Sequence, residues 1–396
     1  MKLPWGLGVA IAAAACGDNL AAPVDAAPDA GPFMEAAHGT PPQLVNDGGS
    51  ALAAPVFQPI FFTGDSVMQA QIEDFGAQLG SSAYWSAATS EYGVGPIQLL
   101  PTIVSSDAVP TTETDVESWL TSELGSAVDP QTIYSVFLPA NMQITGADGT
   151  SCQSYGGYHY EIDNGSGSDA ETPIVYALLP RCGGTGSDAI DILTAALSHE
   201  LVEASTDPHP ITALAWGDAD PLHYVMAYTP GAEAGDYCEY VEAAYYIPFG
   251  YEVQRIWSNA ASLAGHDPCV PAPLSLPYAG AVPVFPGTVQ IPDYNNNPVT
   301  TEGISIAVGS AATIDVQLFS DVPTAAFTVS AFDANTVYGQ AADLSLAFDK
   351  TTGSNGDVVH LTITRMKAGQ LPGSEFAIEA IVNSVTVSQS WGYVTN

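Results

Sequence analysis

The sequence predicts an α+β protein in two folded parts: a mixed-sheet α/β domain over residues 53–272 and a β-rich domain over 273–396. Three observations predict it. At 396 residues the chain suits two domains of about 100–200 residues each. From residue 53 onward, apolar β-branched runs alternate with segments of helical period. Beyond residue 272 only short alternating runs remain, separated by turn residues. A hydrophobic content of 46% is enough to build cores, so general disorder is excluded.

The chain opens with Met1-Lys2, an apolar stretch from Leu3 to Ala15, and then Cys16. That stretch is too short to cross a bilayer, which takes roughly 20 residues, and it has the form of an export signal. Ala13-Ala14-Ala15-Cys16 resembles a bacterial lipobox. The resemblance implies a lipoprotein signal peptide over residues 1–15 and membrane attachment only through a lipid on Cys16. Ordinary cleavage and secretion is the other reading. The expected location is therefore outside the cytoplasm, as a cell-surface or outer-membrane lipoprotein or as a secreted protein. Residues 16–52, rich in Ala, Pro, Gly and Asp, read as a flexible tether.

The first folded part begins with a strand at Pro55–Phe62 and a helix over Val67–Leu79, where Met68, Ile72, Phe75 and Leu79 keep helical spacing. Ile97–Val104 reads as a strand, and Thr112–Leu124 as a helix with Thr112 or Thr114 as its cap. Thr132–Leu138 and Pro173–Leu179 suit the buried strands of a sheet, with Gly157–Ile162 a third candidate. A Pro-rich hinge marked by Pro271, Pro273, Pro277, Pro283 and Pro286 follows. Seven alternating runs then occupy about 110 residues, starting at Ile304, Thr313, Phe327, Leu344, Val358, Phe376 and Val385. That count and spacing suggest an Ig-like β-sandwich for packing or binding, since no titratable cluster accompanies it.

Charge narrows the function. The chain carries 43 Asp or Glu against 6 Lys or Arg, a formal net charge of −37. Charged residues make up 12% of the chain, against about 25% in an ordinary domain, so it is bases that are missing. Nucleic acid is excluded as a partner, because binding its phosphates needs clustered cations. Docking on anionic lipid is disfavoured for the same reason. With Cys16 set aside, Cys152, Cys182, Cys238 and Cys269 form an even set, read as two disulfides in an exported chain. Three connectivities are open. Cys152–Cys182 with Cys238–Cys269 pairs sequence neighbours and is preferred. A four-cysteine zinc site lacks the usual C-x₂-C spacing.

The chemistry concentrates in residues 187–208. Ser187 can cap a helix whose first turn holds Asp188, and Pro208 stops it at Asp207. On that helix Ile192, Ala196, His199 and Glu203 share a face by their 3–4 residue spacing. His199 and Glu203 can ligate one metal ion, and Glu200, rotated about 100° from His199, can reach a water on that ion. The helix resembles the active-site helix of the zincin metalloproteases, whose motif is His-Glu-x-x-His. Here it reads His199-Glu200-Leu201-Val202-Glu203, with Glu in place of the second His. Zinc accepts carboxylate, but one His among carboxylates also suits calcium. His209 stands where one zincin branch keeps a third ligand, but the Gly-containing turn of that branch is replaced by Ser205-Thr206-Asp207-Pro208, so His209 is set aside.

A second resemblance spans most of residues 55–270. Tyr84-Trp85-Ser86, Ser90-Glu91-Tyr92-Gly93, Cys152 with Tyr158-His159, Ser198-His199-Glu200, Glu203-Ala204 and Thr206-Asp207-Pro208 begin an ordered series. Glu233-Ala-Gly235-Asp236-Tyr-Cys238 and Trp257-Ser258-Asn259 before Cys269 complete it. The series is similar to that of exported bacterial proteins distantly related to plant phosphate-induced (EXORDIUM-like) proteins. It implies a metal-dependent hydrolase and carries over no activity from the plant members.

The remaining ligands must come from outside the helix. His159 would give a two-His, one-carboxylate zinc site with an open position. Glu233 and Asp236 lie beside Cys238, whose disulfide would fix their loop. Convergence of Glu203, Asp207, Glu233 and Asp236 would instead make a structural calcium site. His223 and His266 read as surface or supporting residues, and His38 falls in the tether. The loop Asp163–Asp169 lacks the terminal Glu of an EF-hand, and neither a G-x-S-x-G elbow nor a P-loop occurs. The expected function is zinc-dependent hydrolysis of a peptide or protein substrate, with Glu200 activating water. The alternative is a non-catalytic calcium-binding surface or adhesion protein that engages a surface ligand through its sandwich. Between Gly183 and Gln254 the chain has no Lys or Arg, which leaves a divalent cation as the natural counter-charge.

Overall fold

The computed structural model describes residues 33–125, 128–147, 149–163, 173–184, 186, 188–228, 231–273, 275–293, 295–369 and 373–395. The signal-peptide stretch, Cys16, Ser187 and most of the Asp163–Asp169 loop lie outside them.

The first part is built on a six-stranded mixed sheet, as its alternating pattern predicts. Its strands are β1 (Val56–Phe62), β2 (Gln98–Leu99), β3 (Ile103–Ser105), β4 (Thr132–Phe137), β5 (Tyr158–Ile162) and β6 (Ile174–Leu179). The order is β2-β1-β4-β6-β5, with β3 also beside β1. All pairings are parallel except that of β5 with β6. The stretch expected to be one strand over Ile97–Val104 is two, because Pro101 has no N–H to give to a ladder.

Strand alternation separates two cores. Phe57, Phe61, Ile133, Phe137, Val175 and Leu179 face α1 (Ser66–Leu79), through Ile72, Phe75 and Leu79, and α4 (Ala189–Thr206), through Leu193, Leu197 and Leu201. Ile60, Phe62, Tyr134, Val136, Tyr176 and Leu178 face α3 (Glu113–Leu124), through Val116, Leu120 and Leu124. Between α1 and α3 runs α2 (Ala83–Thr89), capped by Ser82; Thr112 caps α3 as expected. Because α4 lies between the sheet and the loops beyond residue 230, every residue from Leu193 to Thr206 is buried.

In the second part a four-stranded and a six-stranded sheet share one apolar core, with Val316, Leu361 and Ile363 from the first sheet and Val329, Phe376 and Ile378 from the second. Six of the seven runs read from the sequence lie within strands, and the first leaves its strand after Ser305. Two more strands, Ala279–Val284 and Gly287–Pro292, lie in and just after the Pro-rich segment read as a hinge. Both are edge strands, where a proline without a ladder donor is tolerated, so Pro283 misled the pattern. Val289, Ile291, Trp391 and Tyr393 of this part join the core of α1 and α4, so apolar packing continues across residue 272.

The described end of the supposed tether is packed. Leu44–Val45 pairs with Asp218–Ala219, His38 stacks on Phe319 at 3.8 Å, and Leu44 and Leu52 are buried. Composition hid this, since two leucines and a few backbone hydrogen bonds suffice to hold a short segment down. Both preferred cystine pairs form: Cys152–Cys182 with sulfurs 2.14 Å apart and Cys238–Cys269 at 2.12 Å. Among the described residues no helix is long and apolar enough to cross a membrane.

Candidate metal centre

Two periodicities aim side chains at one point. In β5 Tyr158 packs toward α3, so His159 must face the opposite side, toward α4. On α4, His199 and Glu203 are one turn apart and both fully buried, as is Glu200. The third contributor is the turn that leads into the short helix α5 (Asp236–Glu239), tied down two residues later by Cys238–Cys269.

Glu203 is the hub. Its Oε1 accepts hydrogen bonds from the backbone N–H groups of Gly235 (3.1 Å) and Asp236 (3.2 Å). Its Oε2 lies 3.0 Å from His199 Nε2 and 3.6 Å from His159 Nδ1. Asp236 Oδ1 lies 3.8 Å from His199 Nε2, and Glu200 Oε2 lies 3.9 Å from His159 Nδ1.

Each imidazole is held by its other nitrogen. His159 Nε2 donates to the carbonyl oxygen of Asp207 at 3.0 Å. His199 Nδ1 donates to Gln254 Oε1 at 3.0 Å, and the Gln254 amide is oriented by its own donation to Gly235 O at 2.7 Å. An imidazole pinned this way presents the remaining nitrogen as a lone pair, the arrangement that supports metal-ligating histidines. The presented atoms, His159 Nδ1 and His199 Nε2, make no hydrogen bond, and neither do Glu203 Oε2 or both oxygens of Glu200. Buried lone pairs facing one another are costly unless a proton or a cation lies between them.

The potential ligand atoms form two groups, His159–Glu200–Glu203 and His199–Glu203–Asp236, each with its atoms within 4.8 Å of one another. No such group among the described residues contains both imidazoles, and each contains one. The two-His, one-carboxylate arrangement is therefore not formed, nor is the cage of Glu203, Asp207, Glu233 and Asp236. Asp207 instead receives the backbone N–H of Ala215 on Oδ1 at 2.7 Å, and Glu233 Oε1 lies 3.3 Å from the far nitrogen of His159. His209 pairs with Glu161 at 3.1 Å, and His223 with Asp220 at 2.9 Å.

The electrostatics are those of crowded acids. Burial, with Glu203 beside it, pushes Glu200 up to about 7. Burial and Glu233 raise Asp207 to about 7, burial and Glu203 raise Asp236 well above the usual range, and burial chiefly raises Glu239 to about 8. Burial works against ionisation of Glu203, but His199 and His159 outweigh it and hold that carboxyl well below its usual value. Burial likewise opposes the charged imidazoles, yet Glu233 and Glu203 bring His159 to about 9, and Glu203, Glu200 and Asp236 hold His199 well above 6.5. The nearest base in sequence, Arg255, faces Asp267 instead at 3.8 Å.

Sequence reasoning missed the residues that shape the site without ligating. Gln254 stands alone in its segment and gives no signal. A Cβ on Gly157 would come within 2.8 Å of Glu200 Oε1, and one on Gly235 within 2.6 Å of His199 Nδ1, so both glycines mark close approaches. Gly235 lay in plain view beside Asp236. No protein-family model and no curated protein matches this chain.

Proposed function

We propose that the protein is a zinc-dependent hydrolase, and that His199 Nε2, Glu203 and Asp236 Oδ1 hold the ion. The observation that carries this reading is the buried, unpartnered Glu203 Oε2 lying 3.0 Å from an unpartnered imidazole nitrogen, with Asp236 as a third donor. Imidazole among the donors favours zinc over calcium, which takes oxygen ligands. The helix keeps the zincin order His-Glu-x-x-ligand, and we read the domain as zincin-like and the second part as a β-sandwich on that basis. Zinc there would supply a Lewis acid and make water acidic enough to ionise near neutral pH.

The chain's own residues supply the rest. Glu200, poised near 7 and free of hydrogen bonds, accepts a proton on either oxygen. Gln254 fixes the His199 ring, and the Gly235 and Asp236 N–H groups fix the Glu203 carboxylate. The substrate class is a peptide or protein, by resemblance of the helix. Export as a lipoprotein belongs to the same proposal, supported by the two disulfides and the chain's first sixteen residues.

One observation favours a structural ion instead: His159, His199, Glu200, Glu203, Glu233 and Asp236 are all at most 5% exposed. Metal analysis of the purified protein, with peptidase assays of the wild type and Glu200→Gln, separates the two. Zinc bound in both and hydrolysis lost only in the variant supports the enzyme. Zinc bound with no hydrolysis in either supports the structural ion. Calcium in place of zinc, with no hydrolysis, overturns the proposal.

A further inference from the structure

We infer that the centre takes a second divalent cation, held by His159 Nδ1, Glu200 and Glu203 Oε2, so that Glu203 bridges two ions. This rests on the reading above for the first ion.

The separation of the imidazoles carries the argument. Two ligands on one zinc ion at about 2.0–2.2 Å cannot be more than about 4.4 Å apart. In each donor group the imidazole nitrogen lies within that span of its carboxylates, at 3.6 and 3.9 Å for His159 and 3.0 and 3.8 Å for His199, but no group holds both imidazoles. An ion on His199, Glu203 and Asp236 therefore leaves His159 Nδ1 and both oxygens of Glu200 unsatisfied, although these side chains are at most 1% exposed. Orphaned donors and acceptors at that depth are costly, and here Glu203 Oε2 and Glu200 Oε2 lie 3.6 and 3.9 Å from His159 Nδ1. His159 is also already prepared, with its Nε2 committed to the Asp207 carbonyl.

Charge points the same way. Glu200, Glu203, Asp207, Glu233, Asp236 and Glu239 crowd this region, and residues 183–254 offer no Lys or Arg. One divalent ion balances two of the six carboxylates. A second ion, with one imidazole and two carboxylates around it, is a borderline first-row cation, for which zinc is the probe. Its occupation ties up Glu200, so the two-ion form is the inactive one, and zinc beyond one equivalent inhibits.

Native mass spectrometry of the full chain titrated with zinc tests this. The wild type should take two ions. His159→Gln should take one, since its amide can still donate to Asp207 while the second-ion ligand is gone. Glu200→Gln is the companion variant should His159→Gln fail to fold, and it too should take one. A single ion in the wild type at all zinc concentrations overturns the second subsite and leaves the one-ion hydrolase to its own test. Two ions in both variants place the second ion elsewhere and overturn it as well. Two ions in the wild type without any hydrolysis would sustain the subsite while removing the hydrolase reading.

Discussion

His199 Nε2 and Glu203 Oε2 lie 3.0 Å apart, one helical turn from each other, and neither makes a formed hydrogen bond. The helix that carries them is buried from Leu193 to Thr206, so water cannot relieve the pair. Only a proton or a cation between the two atoms makes that contact favourable. Glu203→Gln keeps the shape but removes the charge. It should strip the ion and abolish the stabilisation by zinc, which at 100 times Kd is about 2.7 kcal/mol. Thermal melts with and without zinc check this. An undiminished zinc shift in the variant contradicts the role of Glu203.

Gln254 touches no ion in this arrangement, yet it sets which nitrogen of His199 is offered. Replacing it by Leu removes the acceptor of the His199 N–H and frees the ring. Zinc affinity should fall by roughly 10–100-fold, as losing such an outer hydrogen bond usually costs. Competition with a chromophoric chelator measures it, and unchanged affinity would show that the ring is held by packing alone.

Gly235 has φ −78° and ψ −39°, an ordinary helical conformation that alanine adopts freely. Its reason for being glycine is therefore space: an added Cβ would lie 2.6 Å from His199 Nδ1 and 2.9 Å from Glu203 Oε1. Both neighbours are pinned, so neither can yield. Gly235→Ala should cost about 1–3 kcal/mol of stability and weaken zinc binding. Denaturant melts of apo and zinc-loaded forms are the check.

Each of these residues was legible in the sequence to a different degree. His199, Glu200 and Glu203 announce themselves by helical spacing within an apolar run, and the strand period turns His159 toward them once β5 is placed. The choice of Asp236 over Glu233 was not legible, because it depends on how a four-residue helix turns after Gly235. Gln254 was invisible, since its partner lies 55 residues away and only the fold joins them. The edge strand at Ala279–Val284 was lost to the opposite error. Pro283 reads as a breaker, yet in an edge strand the outward-facing N–H positions have no ladder partner to lose.

The Cys238–Cys269 bridge closes a loop with a sequence separation of 31 and anchors the helix that begins at Asp236. The chain-entropy estimate for such a loop is roughly 3–4 kcal/mol. Changing both cysteines to Ala should lower stability by about that amount and loosen Asp236. Zinc affinity should therefore drop in this variant more than in one lacking Cys152–Cys182, which is bonded outside α5. Equal effects of the two variants would show that the bridges serve only global stability.

The pH dependence of the metal-free protein follows from the direction of its titrations. Glu200, Asp207 and Asp267 sit at about 7 and Glu239 at about 8 in the folded state, each above its usual carboxyl range chiefly through burial. Between the unfolded value near 4 and the folded one, the folded protein holds more protons than the unfolded chain, so stability falls as pH rises through that interval. His159, at about 9, acts in the same sense: its contribution is complete below 6.5 and lost as pH climbs through 9. Glu203 acts oppositely, as do Glu161 and Asp220, since a depressed value contributes stability that is lost only in acid. Chelator-treated protein should therefore melt at a higher temperature near pH 5 than near pH 8.5. Zinc on His199, Glu203 and Asp236 displaces the protons that His199 and Asp236 would otherwise hold, so the loaded protein should lose less over the same range, and zinc affinity should rise with pH as those ligands shed their protons. Calorimetric melts at the two pH values, with chelator and with zinc, decide it. Parallel pH profiles for both forms would mean that no cation replaces the protons at His199 and Asp236.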